Sequence, residues 1–328
     1  MRRCLPIVLL LAACGGAPPA DGTTERIVVP AGATFAAVLD SLDAHGLVGN
    51  RLLLKLRARL GGADRVVHAG VYRIPRGTSH AELLRILAEG QREQQRFTVP
   101  EGLTIADIGA LAESALGVPA DSFRAAATDS LLADSLGIVA PTLEGFLHPD
   151  TYLLESDVTA RGLVRRLGSE FLRLWKPEWD ARLDSLRLSR RELLALASIV
   201  EGEARADDER ETIAGVYHNR LRIGMPLQAD PTVQYAIMLR TGERKKRLFE
   251  KDYAIESPYN TYLHRGLPPG PVNSPGQRSI EAALYPAAVP YLYFVANPDG
   301  RHVFTRSYRE HLRAVAASRR AWAAESSP

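Results

Sequence analysis

The chain has almost no cysteine. Its 328 residues contain two, Cys4 and Cys14. Beyond Cys14 there is no thiol to form a disulfide, a cysteine metal cluster or a nucleophile. An excess of one charge is also missing: 41 Lys and Arg face 38 Asp and Glu, a formal net charge of +3. That balance gives no reason to expect nucleic acid as a partner. No P-loop, no G-x-G-x-x-G dinucleotide fingerprint and no G-x-S-x-G elbow occurs. The eight histidines never fall into H-E-x-x-H, so a zinc hydrolase is not expected. Nothing in the sequence asks for a cofactor.

Long apolar runs are absent too. The longest near the N-terminus, Leu5 to Ala13, is about half the ~20 residues that span a bilayer. With Arg2 and Arg3 before it, this run reads as a signal peptide, residues 1–13. Leu11-Ala12-Ala13-Cys14 resembles a bacterial lipobox. That resemblance implies cleavage before Cys14, lipidation of Cys14 and an extracytoplasmic, periplasmic location with a membrane tether. A single transmembrane anchor is the alternative. Loss of Arg2 and Arg3 with the leader brings the charge from +3 to +1. The small and polar residues 14–25 read as a flexible linker.

What remains is long enough for two compact units, at roughly 100–200 residues per domain. A strand–turn–helix grammar occurs three times. Ile27-Val28-Val29-Pro30-Ala31-Gly32-Ala33-Thr34 leads into Phe35, Val38, Leu39 and Leu42. Val71-Tyr72-Arg73-Ile74-Pro75-Arg76-Gly77-Thr78-Ser79 leads into Leu83, Leu84 and Leu87. Phe97-Thr98-Val99-Pro100-Glu101-Gly102-Leu103-Thr104 leads into Ile105, Ile108 and Leu111. Pro ends each strand, Gly makes the turn, and Thr or Ser caps the helix. The first two copies and a helix over Leu52–Leu60 form an expected α+β domain over residues 26–95. Its pattern is similar to LysM-like modules, which implies contact with N-acetylglucosamine-containing glycans; the same grammar also occurs without any ligand.

Residues 96–328 read as a larger, mixed helical domain with a small β-sheet. Ser189 and Glu192 have capping-box spacing, and Leu193–Val200 is apolar nearly all round, the pattern of a buried helix. This helix arrives at Glu201-Gly202-Glu203. A carboxylate delivered there is partly desolvated, which favours the protonated form that a general acid needs. The alternative is that Glu201 begins a solvated helix end. Gly202, a poor helix former, predicts an end or bend at that point. A hairpin is expected over Tyr291–Val295 and His302–Phe304, and a terminal helix over Tyr308–Ala323.

Five separated segments then resemble one family in order. They are Glu144-Gly145-Phe146-Leu147-x-Pro149-Asp150-Thr151-Tyr152; Leu196-Ala197-Ser198-Ile199-Val200-Glu201-x-Glu203-Ala204; and Asn219-Arg220-Leu221-x-x-Gly224-Met225-x-Leu227-Gln228-x-Asp230-Pro231-Thr232-Val233. Tyr259-Asn260-Thr261-Tyr262 with Gly266-Leu267-Pro268-Pro269-Gly270-Pro271, and Tyr285-Pro286-Ala287 before Tyr291-Leu292-Tyr293-Phe294-Val295, complete the set. The chain resembles the endolytic murein transglycosylases, the MltG or YceG-like family. The lipobox-like leader departs from the single transmembrane helix usual there.

The resemblance implies a lyase that cuts the β-1,4 bond between N-acetylmuramic acid and N-acetylglucosamine in nascent peptidoglycan. It implies 1,6-anhydro ends, termination of strand elongation, and peptidoglycan synthases as possible partners. Glu201 takes the place of the catalytic residue. Glu203, Gln228, Asp230, Asn260, Tyr262 and Glu144 are candidates for holding substrate. The expected site is a groove around Glu201 lined by segments 144–152, 224–232 and 257–276. A muramidase-type hydrolase and a non-catalytic LysM-like binding lipoprotein are the rival readings. For the N-terminus, mass spectrometry of the mature protein should find diacylglycerol on Cys14, and Cys14→Ser should leave the leader uncleaved or release the protein. An intact, unmodified N-terminus in the wild type would refute the lipobox.

Overall fold

The computed structural model describes residues 18–30, 32–90 and 94–325. The leader and Cys14 lie outside them. The chain forms two compact units: residues up to Arg96 with Leu153–Val158, and Phe97–Tyr152 with Thr159 onward.

In the first unit, β1 (Thr24–Val29) pairs antiparallel with β2 (Gly70–Pro75), with Ile27 opposite Tyr72. Ile27 and Val29 are buried and Val28 is exposed, the alternation of a strand with one wet face. Three helices accompany the sheet: α1 (Phe35–Ala44), α2 (Arg51–Leu60) and α3 (His80–Glu89). Thr34 and Ser79 accept from Ala37 and Glu82 N–H, as N-caps should. Val38, Leu42, Leu54, Leu83 and Leu87 close the core.

A second two-stranded sheet joins β3 (Gln94–Thr98) to β4 (Thr151–Glu155). The second unit is mainly helical: α4 (Ile105–Leu116), α5 (Ala120–Ala127), α6 (Ser130–Ser135), α7 (Ala160–Leu174), α8 (Pro177–Leu186) and α9 (Arg190–Glu203). There follow α10 (Arg210–Arg222), α11 (Asp230–Thr241), α12 (Gln277–Leu284), the antiparallel hairpin β5 (Tyr293–Ala296) and β6 (His302–Thr305), and α13 (Tyr308–Glu325). Among the described residues, no helix is long and apolar enough to cross a membrane. The α+β class with small sheets is therefore as the sequence implies.

The centre of this unit is α9. Ser189 and Glu192 form the capping box, and every residue from Leu193 to Val200 is buried. Helices α8, α10, α11 and α12 surround it. Helix α11 starts inside the Gly- and Pro-rich residues 224–232, where the sequence pattern marks no helix, and α12 follows directly on Asn273-Ser274-Pro275-Gly276. Proline in the first turn costs a helix nothing, since that N–H has no partner there anyway. Helix α9 ends at Glu203, one residue beyond Gly202, where the sequence puts an end or bend. A Cβ at Gly202 would fall 2.5 Å from Pro231 Cγ, so this glycine also lets α11 approach.

The loop holding Glu144 and Gly145 carries the same logic. Gly145 has φ +78°, and a Cβ on it would lie 2.4 Å from Pro271 Cβ. Glu144 is 6% exposed; its carboxyl accepts from Ile105 N–H at 3.2 Å and from the Tyr235 hydroxyl at 3.2 Å. Burial pushes Glu144 up to about 8.

Two tests follow. Gly145→Ala should lower stability well beyond Gly137→Ala, because Gly137 shares the positive φ but has open space around it. The second variant should cost about 1 kcal/mol of backbone strain, while overpacking at Gly145 adds about 1–3 kcal/mol. Equal losses in urea unfolding would contradict the packing argument. For Glu144, an acid more easily protonated when folded stabilises fully below its ordinary range, and that contribution fades as pH rises towards 8. Glu144→Gln should therefore flatten the decline in unfolding midpoint between pH 5 and pH 8. An unchanged slope would count against it.

Candidate active site

Glu201 lies on the last turn of α9, with its side chain 7% exposed. Three groups reach its carboxylate. Gly276 N–H donates to Oε2 at 3.0 Å, the Ser279 hydroxyl donates to Oε2 at 2.8 Å, and Arg210 Nη2 donates to Oε1 at 3.3 Å. Gly276 is the N-cap of α12 and Ser279 is in its first turn, so the carboxylate sits at that helix's positive end. Ser279 Oγ also accepts from Arg210 Nε at 3.0 Å, so donors and carboxylate form one closed circuit.

The loop before α12 is tied to α9 by side chains. Ser198 Oγ accepts from Val272 N–H at 3.0 Å and donates to Ala195 O at 2.8 Å. Asn273 Nδ2 donates to Ser198 O at 2.9 Å. The third strand–turn–helix copy docks on the same loop: Gly102 N–H donates to Ser274 O and Ser274 N–H to Leu103 O, each at 2.8 Å. This places Glu101 beside the site. Glu101 Oε2 is 3.9 Å from Arg210 Nη2. Partial burial, and then the nearby Glu201 charge, raise Glu101 above the ordinary carboxylate range. Arg210 is further paired with Asp207, which also meets Arg278.

Glu203 belongs to different surroundings. Residues two apart on a helix point about 200° from each other, and Glu203 accepts from the Tyr217 hydroxyl at 3.2 Å. Part of its surface is open, yet the carboxyl group is enclosed enough for burial to lift it to about 7, with the Asp230 charge the next cause. Asp230 accepts from the Tyr262 hydroxyl at 2.7 Å. Burial, then Asp230, raise Tyr262. Glu203, Gln228, Asp230 and Tyr262 line one polar cavity of about 520 Å³, together with Arg220 and Lys246. Gln228 holds φ +48°, an uncommon backbone for a residue with a side chain.

The remaining two candidates face inward. Asn260 is fully buried; Nδ2 donates to Tyr253 O and Ile255 O, and Oδ1 accepts from Tyr262 N–H. The Glu144 oxygens are engaged by Ile105 and Tyr235. Of the three segments expected around Glu201, 257–276 touches it through Gly276. Segment 224–232 abuts Gly202 through Pro231 and lines the Glu203 cavity, and Gly145 of 144–152 lies beneath Pro271 and Asn273. The sequence reading misses Arg210, Ser279 and Glu101. Only Glu101 has a visible signal, its place in the third Pro-x-Gly turn.

The YceG-like family model matches residues 27–317. The Bacillus subtilis (strain 168) endolytic murein transglycosylase is 31% identical over 312 residues, covering 89% of this chain and 84% of that protein. The protein of the same name from Streptococcus pneumoniae serotype 2 (strain D39) is 28% identical over 330 residues, covering 91% of this chain and 59% of that one. The crystal structure of a yceG-like protein from Listeria monocytogenes superposes with a TM-score of 0.60 at 28% identity, covering 89% of this chain and 99% of that one. With the family pattern matched from the first strand into the terminal helix, the chain belongs to the YceG-like family.

Proposed function

We propose that the chain is an endolytic lytic transglycosylase, a lyase acting on the glycan strands of peptidoglycan, with Glu201 as its acid and base. The observation that carries this is the enclosed carboxylate of Glu201 at the end of the buried helix, held by three donors from α10 and the start of α12. The names of the relatives agree with it.

The finer reaction follows from what one carboxyl group can do. Protonated Glu201 gives its proton to the oxygen linking N-acetylmuramic acid to N-acetylglucosamine. Gly276 N–H, the Ser279 hydroxyl and Arg210 are already in place to receive the negative charge this leaves, so no reorganisation is needed as charge develops. The carboxylate then takes the proton of the muramic C6 hydroxyl, whose oxygen closes on C1. The bond broken is C1 to the leaving oxygen, the bond formed is O6 to C1, and the proton count is restored. No water enters, and the product is a 1,6-anhydro end. In nascent peptidoglycan such a cut would terminate strand elongation, work done beside a synthase.

We assign Glu203, Gln228, Asp230 and Tyr262 to sugar recognition in the cavity they share. Asn260 and Glu144 support the loops instead. The first unit is a LysM-like candidate for further glycan contact, and Cys14 a candidate lipid anchor that keeps the enzyme on the extracytoplasmic side.

Glu201→Gln keeps the volume but cannot cycle a proton, and its amide NH2 must face a donor that the carboxylate had satisfied. Its turnover on purified peptidoglycan should fall by about 10²–10⁴-fold while the protein still folds and unfolds cooperatively, at a melting point no higher than the wild type's. Wild-type digestion should yield anhydro ends. Reducing ends would favour a hydrolase, no new ends a binding protein, and a folded Glu201→Gln variant with full turnover would remove Glu201 from the mechanism.

A further inference from the structure

Helix α2 of the first unit has a face that the glycan chemistry leaves unused. Its buried side is ordinary: Leu54 and Ala58 are fully enclosed in the core beside β1 and β2. On the outer side, two columns run at the i, i+4 spacing that aligns side chains along a helix. Leu52, Leu56 and Leu60 form one, exposed at 80%, 55% and 80%. Arg51, Lys55 and Arg59 form its neighbour, and all three are exposed. The helix contains no acidic residue. Asp40 and Asp43 of α1 pair with Arg51, while Lys55 and Arg59 have no ion pair among the described residues.

Three leucines left in water beside three cations are the pattern of a helix lying in a lipid interface, with apolar side chains sunk and basic ones reaching for phosphates. The other occupants fit less well. A second copy paired across the leucines would set two cationic columns against each other. A glycan offers hydroxyls and amides, which have no use for an aliphatic stripe.

The place of the unit in the chain agrees. β1 begins at Thr24, ten residues after Cys14. Fully extended, that stretch spans about 35 Å. A chain tethered at Cys14 therefore keeps this unit within about one bilayer thickness of the lipid.

We propose that the Leu52–Leu56–Leu60 face of α2 docks on an anionic lipid bilayer, with Arg51, Lys55 and Arg59 at its headgroups. The contact goes beyond the lipid tether and rests on it only for proximity.

The test uses the full chain in vesicles of phosphatidylethanolamine and phosphatidylglycerol, with a photo-crosslinking phenylalanine analogue in place of Leu56. A second protein carries it at Leu131, a leucine of the second unit that is exposed at 73% against 55% for Leu56. On illumination the Leu56 position should give phospholipid adducts several-fold above the Leu131 position. The combined change Arg51→Gln, Lys55→Gln and Arg59→Gln should remove most of that excess. A chain–chain adduct as the main product, a lipid yield no higher than at Leu131, or a yield indifferent to the three charges would each overturn the proposal. The intact mass of the same samples reports lipid on Cys14, so failure of the tether and failure of the α2 contact are read separately.

Discussion

The site depends on how one apolar helix ends. Helix α9 is buried along eight consecutive residues, so its last turn leaves the core with carbonyls and carboxylates that are only partly open to water. Each must find a donor from another part of the chain, because a buried polar group without one costs about 1–3 kcal/mol. Many of the donors come from one loop and the helix after it, and Arg210 and Tyr217 of α10 add theirs to Glu201 and Glu203. Asn273 meets Ser198 O, Val272 meets Ser198 Oγ, and Gly276 and Ser279 meet Glu201. Satisfying α9 and assembling the site are therefore the same act of folding. A long, proline-rich segment is well suited to this, since its shape is set by turns rather than by its own ladder of hydrogen bonds.

That constraint separates the two glutamates. Glu201 points to the positive end of α12 and to Arg210. Glu203 points to tyrosines and to another acid, Asp230. One side supplies donors and a cation; the other supplies burial and like charge, and lifts Glu203 to about 7. Two identical side chains, two positions apart, thus enter opposite electrostatic surroundings. Pro231 against Gly202 keeps the two surroundings apart at the helix end, which is why the intervening residue has no side chain.

Local grammar was legible in the sequence, and long-range donors were not. The three strand–turn–helix copies could be read because Pro, Gly and a Thr or Ser cap act within a few residues. Thr34, Ser79 and Thr104 all cap helices where that reading puts them. The capping box at Ser189 and the apolar run behind it were readable for the same reason. Helix α11 was hidden by Asp230-Pro231, which signals a turn in isolation yet suits a first helical turn. Ser279 and Arg210 could not be found by pattern: Ser279 is an ordinary polar residue 78 positions from the carboxylate it serves. Glu203, Gln228, Asp230 and Tyr262 share a cavity although spread over some sixty positions, a grouping that only tertiary packing creates.

Arg210 shows how charge is apportioned around the acid. A buried guanidinium paired with one carboxylate alone would hold that carboxylate ionised. Arg210 is 9% exposed but divided: it meets Asp207, Glu201 and, at 3.9 Å, Glu101, while its Nε goes to Ser279. Asp207 in turn is shared with Arg278. Within this cluster three carboxylates answer to two guanidiniums; Glu101, Asp207 and Arg278 are open to solvent, while Glu201 and Arg210 are enclosed. Glu101 registers the crowding: burial first, and then the Glu201 charge, raise it above the ordinary carboxylate range. The strand–turn–helix copy that brings Glu101 is then part of the acid's surroundings, although in sequence it reads only as the opening of a domain.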